Sequence, residues 1–192
     1  MIIGITGNSG VGKTEFSKIL AKKLEAEIID ADSVVKKMSN KGNEYYNKIV
    51  ELFGTEILKN DTPNRKKIAE IIFSNEAKRK SLNKLTYKYV VEEIKKEVSQ
   101  SNKKNIIIDA PLLFESKLDK ICNYTIAILA EKNEKIQRIC KRDNIDENIA
   151  NLRIKAQPED EFYKKHANYI IENNHSIDEI NWEEICTKIG KN

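Results

Sequence analysis

Residues Gly7 to Thr14 read G-N-S-G-V-G-K-T, directly behind the apolar run Ile2–Ile5. The pattern G-x-x-x-x-G-K-[ST] dictates a strand, then a tight glycine loop, then a helix. Glycines let the backbone curl until its N–H groups converge on phosphate oxygens. Lys13 is then placed to reach the outer phosphates, and the Thr14 hydroxyl suits a Mg²⁺ ligand. The following residues, Glu15 to Leu24, carry Phe16, Ile19, Leu20 and Leu24 at helical spacing. A phosphate in the loop would therefore sit at a helix N-terminus, which carries roughly half a positive charge.

Five β-rich runs recur along the chain: Ile2–Thr6, Glu27–Asp30, Asn105–Asp109, Thr125–Ala130 and Tyr169–Glu172. Each is nearly continuously apolar, as strands covered on both faces are. Helical patterns between them predict an α/β fold with parallel strands. No strand is expected between Asp30 and Asn105. There Ile49, Leu52 and Phe53, then Ile68, Ile71 and Ile72, then Leu82, Leu85 and Tyr89 recur at helical spacing, broken at Gly42, Gly54 and Pro63. This reads as a helical insert able to hold a second substrate. A second charged segment, 133–165, carries Arg138, Arg142 and Arg153; it is either a solvated helical pair or a lid over phosphates. Trp182, flanked by Ile180 and Ile185, is expected to pack a final helix.

A chain of 192 residues, 40% apolar with 7 glycines and 3 prolines, is long enough for one compact fold with a real core. Its 34 basic against 30 acidic residues leave only +4, and no basic stripe interleaves with aromatics, so nucleic acid is not an expected partner. Cys122, Cys140 and Cys186 are widely spaced, with only His166 and His175 as companions; reduced thiols of a cytoplasmic protein are expected, not a disulfide frame or a zinc site. No apolar run approaches the ~20 residues of a membrane span, and a strand at the very N-terminus leaves no room for a signal peptide.

Several side chains are candidates for chemistry. Asp109 ends an apolar strand, where an acid beside the loop's Thr14 helps hold Mg²⁺. Asp30 and Asp32 close the second strand, and ligands of open α/β sheets bind beyond the carboxyl ends of strands. Asp32 is the better placed to take a proton from an acceptor hydroxyl, and Asp30 to orient or buttress; the alternative is a pair of helix caps before Ser33–Met38. Arg138 and Arg142, four apart, share a helix face and suit bidentate contact with phosphate, or else a salt-bridge face with Glu134 and Asp143. Pro111-Leu112-Leu113-Phe114-Glu115 either packs the insert or lines an apolar pocket.

Taken together, the loop, I-I-D-A-D at Ile28–Asp32, D-A-P-L-L-F-E at Asp109–Glu115 and R-I-K-A-Q at Arg153–Gln157 closely resemble the dephospho-CoA kinase family, as does Asn173 after the last strand. The resemblance implies a P-loop NTPase fold of three α/β/α layers on a five-stranded parallel sheet. It also implies a core of 1–32, 103–132 and 166–192, a helical CoA-binding insert at 33–102 and a lid at 133–165. The implied activity is Mg²⁺-dependent transfer of phosphate from ATP to the ribose 3′-hydroxyl of dephospho-coenzyme A, in a monomer or weak homo-oligomer. Gly10, Val11, Gly12, Lys13, Thr14 and Glu15 match the ATP-phosphate segment, Asp32 the proposed base, and Arg142 and Arg138 lid arginines that meet the nucleotide. Arg65, Thr6 and the segment Pro111, Leu112, Leu113 and Phe114 match substrate-side positions. The chain departs from the family at Tyr87-Lys88, where His-Pro is usual, at Asn168 for Asp, at Lys135 for Gln and at Glu15 for Thr. A guanine-nucleotide switch would carry N-K-x-D; Asn102-Lys103-Lys104-Asn105 lacks its carboxylate.

Overall fold

Residues 1–174 and 177–190 are described in the computed structural model of the chain; His175 lies outside them. The chain divides into two compact units, Met1–Ile29 with Gln100–Asn192, and Asp30–Ser99.

The first unit is built on a parallel sheet. Its strands are β1 (Ile2–Thr6), β2 (Glu27–Asp30), β5 (Ile106–Asp109), β6 (Tyr124–Leu129) and β7 (Tyr169–Glu172); β3 (Leu58–Lys59) and β4 (Thr62–Pro63) lie in the second unit. The sheet is ordered β2-β5-β1-β6-β7. In register, Ile5 pairs with Asp109 on one side of β1 and Ile126 on the other, and Ile126 pairs with Tyr169 in β7. The continuous apolar runs follow from burial on both faces. In β6, Ile126 and Ile128 pack with Phe16 and Leu20 of α1 (Lys13–Leu24) and with Ile185 and Ile189 of α9 (Trp182–Gly190). The alternate residues Ala127 and Leu129 turn to Tyr163 of α8 (Asp160–His166) on the other face. Trp182 lies 4.9 Å from the Phe16 ring, so the final helix packs as its pattern predicts. The charged segment that follows β6 holds α6 (Lys132–Asp143) and α7 (Glu147–Lys155), which meet through Ile136, Ile139 and Ala150.

The second unit is mainly helical: α2 (Ala31–Met38), α3 (Glu44–Phe53), α4 (Arg65–Ser74) and α5 (Glu76–Gln100). Tyr45 of α3 bonds Thr86 of α5 at 2.8 Å, Tyr89 donates to Glu44 at 2.6 Å, and Lys37 of α2 pairs with Glu97 at 3.2 Å. The expectation of no strand here is corrected, because β3 and β4 form a short antiparallel hairpin. Asn60 and Asp61 both take positive φ, 51° and 60°, as a two-residue hairpin turn requires. Helix α2 begins at Ala31, so the strand does not continue through Asp32 and the two acids do not alternate across a sheet. Asp30 instead caps α2, accepting from the Asp32 backbone N–H at 3.1 Å and the Ser33 hydroxyl at 2.6 Å.

Candidate active site

The loop between β1 and α1 adopts the conformation its glycines permit. Gly12 caps α1 in the left-handed region, at φ 86°, where an L side chain is strained. A Cβ there would also fall 2.5 Å from the Asn173 amide nitrogen. Gly10, at φ 84°, leaves no more space: a Cβ would lie 2.6 Å from the Lys135 carbonyl oxygen. Close approach of Asn173 and α6 to the loop thus fixes both glycines. Val11 is fully buried beneath it, while Thr14 and Glu15 are exposed at the first turn of α1.

Lys13 forms an ion pair with Asp109, whose other oxygen accepts from the Ser17 hydroxyl at 3.1 Å. Asp109 is 3% exposed, so burial makes its partners matter. Ser17 is a site residue that sequence reading passed over; its signal was the spacing, four residues after Lys13 and so on the same helix face.

The rest of the cradle comes from distant segments. Tyr163 donates to Asn8 Oδ1 at 2.7 Å, and the Asn8 amide donates to the Pro158 carbonyl at 2.9 Å. The Ser9 N–H donates to Gln157 at 3.0 Å, and Asn173 Nδ2 to the Val11 carbonyl at 2.8 Å. Gln157 and Asn173 stood only as parts of a resemblance and Lys135 only as a departure from it; Asn8 and Ser9 were variable positions of the loop motif, and Tyr163 had no local signal. Lys135 is 6% exposed, with Nζ 3.4 Å from Asp160.

The arginine pair does form the salt-bridge face, with Glu134 and Asp143 as its acids. Arg138 bridges to Glu134 at 3.3 Å and also donates to the Asn173 carbonyl at 2.9 Å and the Gly10 carbonyl at 3.5 Å. Arg142 forks onto Asp143 and reaches the Ser9 hydroxyl at 3.3 Å. Salt bridges form, and they form at the rim of the phosphate loop.

Of the residues expected to touch substrate, two are wholly buried. Thr6 donates to the Pro111 carbonyl at 3.1 Å, and Leu113 packs over Gly4. Both support the segment after β5, while Leu112 is exposed and Phe114 half-buried beside His166. Burial raises the Glu115 carboxyl above the ordinary carboxylate range. In the second unit, Asp32 lies exposed in the first turn of α2, and Arg65 opens α4 behind the Asn64 cap. The positive charge of Arg65 is felt at the Tyr45 hydroxyl, whose pKa is raised chiefly by burial. Asn168 serves the fold. Its side-chain oxygen accepts from the Thr125 N–H at 2.8 Å and hydroxyl at 2.9 Å, bonds a carboxylate could equally accept.

A phosphate-bound Mg²⁺ fits this donor set. Mg²⁺ prefers hard oxygens, keeps several waters and leans on one or two carboxylates plus substrate phosphates. Thr14 and Asp109 supply such oxygens, and among the described residues no cluster of three or more His, Cys, Asp or Glu forms a closed cage.

Comparison with known proteins bears on what this geometry serves. The family model for dephospho-CoA kinase matches residues 1–179. The dephospho-CoA kinase of Fusobacterium nucleatum is 37% identical over 181 residues, spanning 94% of this chain and 93% of its own. That of Bacillus cereus is 35% identical over 181 residues, covering 92% and 90%. Among solved structures, the dephospho-CoA kinase from Campylobacter jejuni superposes with a TM-score of 0.64 at 27% identity, covering 99% of this chain and 95% of that one. With its phosphate loop, D-A-D and P-L-L-F-E all inside the matched span, the chain belongs to the dephospho-CoA kinase family.

Proposed function

We propose that this chain transfers the γ-phosphoryl group of ATP to the ribose 3′-hydroxyl of dephospho-coenzyme A, yielding coenzyme A. The observation that carries the reading is the loop lysine paired to a buried strand-end carboxylate, in a chain whose family match covers residues 1–179. Backbone N–H groups of Gly10 to Glu15 bind the phosphates at the N-terminus of α1. Lys13 exchanges one anion for another, leaving Asp109 for the β- and γ-phosphate oxygens. Asp109 and Thr14 are the residues that would hold Mg²⁺, which when bound would supply charge neutralisation on those oxygens. Arg142 stabilises charge on the transferring group, and Arg138 holds the loop that binds the nucleotide. Asp32 accepts the proton of the 3′-hydroxyl as the bond to phosphorus forms. Arg65 pairs with an anionic group of dephospho-CoA, and Leu112 and Phe114 meet its less polar part. The helical unit is the CoA-binding insert, and α6 and α7 belong to the lid. Among the described residues no helix is long and apolar enough to cross a membrane. With three free thiols besides, the cytoplasm is the proposed compartment.

The test is ADP release from Mg·ATP with dephospho-CoA, AMP, shikimate or no acceptor, with the product's mass recorded. Turnover with dephospho-CoA alone supports the assignment. Turnover only with another acceptor overturns the substrate while leaving the phosphate site intact.

A further inference from the structure

One carboxylate beside the phosphate loop has no place in the proposed reaction. Asp143 ends α6 and receives two arginines from different helices. Arg142 Nε donates to Oδ1 at 2.8 Å and its Nη2 to Oδ2 at 3.0 Å, while Arg153 of α7 donates to Oδ2 as well. Asp143 is the more enclosed partner: its side chain is 23% exposed, against 59% for Arg142 and 48% for Arg153. An acid at a helix C-terminus opposes the helix dipole, so helix stability does not account for it. Two guanidinium groups this close would repel each other without a shared anion.

Arg142 shows what the anion does. Of its five N–H donors, the contacts to Asp143 and the Ser9 hydroxyl take three, all from Nε and Nη2. The Nη1 donors are not used by these contacts and could meet a phosphate oxygen, with the guanidinium plane set by the carboxylate fork. One carboxylate and two guanidinium groups sum to +1 at the rim of the loop.

We propose that Asp143 is a positioning residue: it holds Arg142 and Arg153 together beside Ser9, so that Arg142 meets the transferring phosphoryl group in a fixed orientation. The inference rests on the proposed phosphoryl transfer and adds a residue to it. Preorganised charge lowers a barrier because nothing need reorient when charge develops. The ion pairs also hold the Asp143 carboxyl down to about 2, the Arg142 hydrogen bonds contributing most, so the clamp is charged at any working pH.

The experiment compares wild type, Asp143→Asn, Asp143→Glu, Arg153→Gln and the double variant Asp143→Asn/Arg153→Gln. Asp143→Asn should lower kcat about tenfold or more, with KM for ATP shifted less than about threefold. Its melting temperature should fall only modestly, since the carboxylate and both arginines are partly exposed and such pairs contribute little to stability. Asp143→Glu should recover part of kcat, and Asp143→Asn should cost less in the Arg153→Gln background. Unchanged or raised kcat in Asp143→Asn overturns the proposal, as does a loss that follows melting temperature and is not relieved by Glu. A second readout needs no acceptor: in ¹⁵N-arginine-labelled protein, the Nε–H signal of Arg142 should be sharp and dispersed in wild type and collapse in Asp143→Asn. An identical signal in both overturns the positioning role. Wild type that fails on dephospho-CoA overturns the proposed reaction instead, while the NMR comparison still decides the role of Asp143.

Discussion

Replacing Lys13 by Met should damage the fold as well as the chemistry, because the lysine also balances a charge inside the protein. Its side chain is 13% exposed and that of its partner Asp109 is 4% exposed. Breaking a buried pair by removing one partner costs about 3–5 kcal/mol, since the other charge is left uncompensated. Met keeps the aliphatic stem, and the Ser17 hydroxyl still donates to Asp109 at 3.1 Å, so the cost is placed lower, at about 2–3 kcal/mol. At roughly 2–4 °C per kcal/mol for a chain of this size, the melting temperature falls by roughly 4–12 °C. The assay is calorimetry on wild type, Lys13→Met, Asp109→Asn and the double variant. Neutralising Asp109 in the Lys13→Met background should return at least half of the lost stability, and neither Lys13→Met protein should turn over. Melting of Lys13→Met within about 2 °C of wild type, or strictly additive losses, would refute the idea that Lys13 balances a buried charge.

Other positions give independent checks. Gly10→Ala meets the Lys135 carbonyl oxygen at 2.6 Å in a left-handed backbone, and no side chain can yield, so ATP-dependent turnover should be lost with a melting shift of several degrees. Tyr163→Phe strands the buried Asn8 side-chain oxygen and should cost about 1–3 kcal/mol in urea titration; a loss below roughly 0.5 kcal/mol contradicts the contact. Burial pushes the Cys122 thiol up to about 12, so in native protein at pH 8 it should be the slowest of the three cysteines toward an aromatic disulfide reagent and react normally once denatured. A carboxyl near 3.8 when unfolded and about 2 when folded stabilises the fold above pH 4 and loses that contribution as pH falls toward 2. The acid arm of the stability profile should therefore flatten between pH 4 and 2 in Asp143→Asn relative to wild type.

What could be read from the sequence followed the range of the interactions. The phosphate loop is local, so eight consecutive residues announced it, and Tyr169–Glu172 matched its strand because apolar continuity is a property of neighbours. Strand order was not legible: β5 beside β1 joins Ile2 to Ile106, a pairing no window of sequence contains. The same holds for the loop's supports, where Asn8 meets Tyr163 and Val11 meets Asn173. The β3–β4 hairpin escaped because two-residue strands show no alternation, although Asn60-Asp61 was a usable turn signal. Asp30 caps α2, the alternative weighed for the Asp30–Asp32 pair, and choosing it needed the knowledge that the strand stops there. Salt bridging and phosphate contact at Arg142 looked like rival readings of one face. In the structure the same fork onto Asp143 leads the arginine to Ser9.

The most direct measurement of the central claim is where the phosphate goes. Purified protein given Mg·ATP and dephospho-CoA should yield a single product whose ³¹P–¹H coupling places the new phosphate on the ribose 3′ oxygen, identical to coenzyme A. Formation should depend on Lys13 and fall at least a hundredfold in Asp32→Asn, with ATP affinity little changed. Phosphate at any other oxygen, or an undiminished rate in Asp32→Asn, contradicts the account.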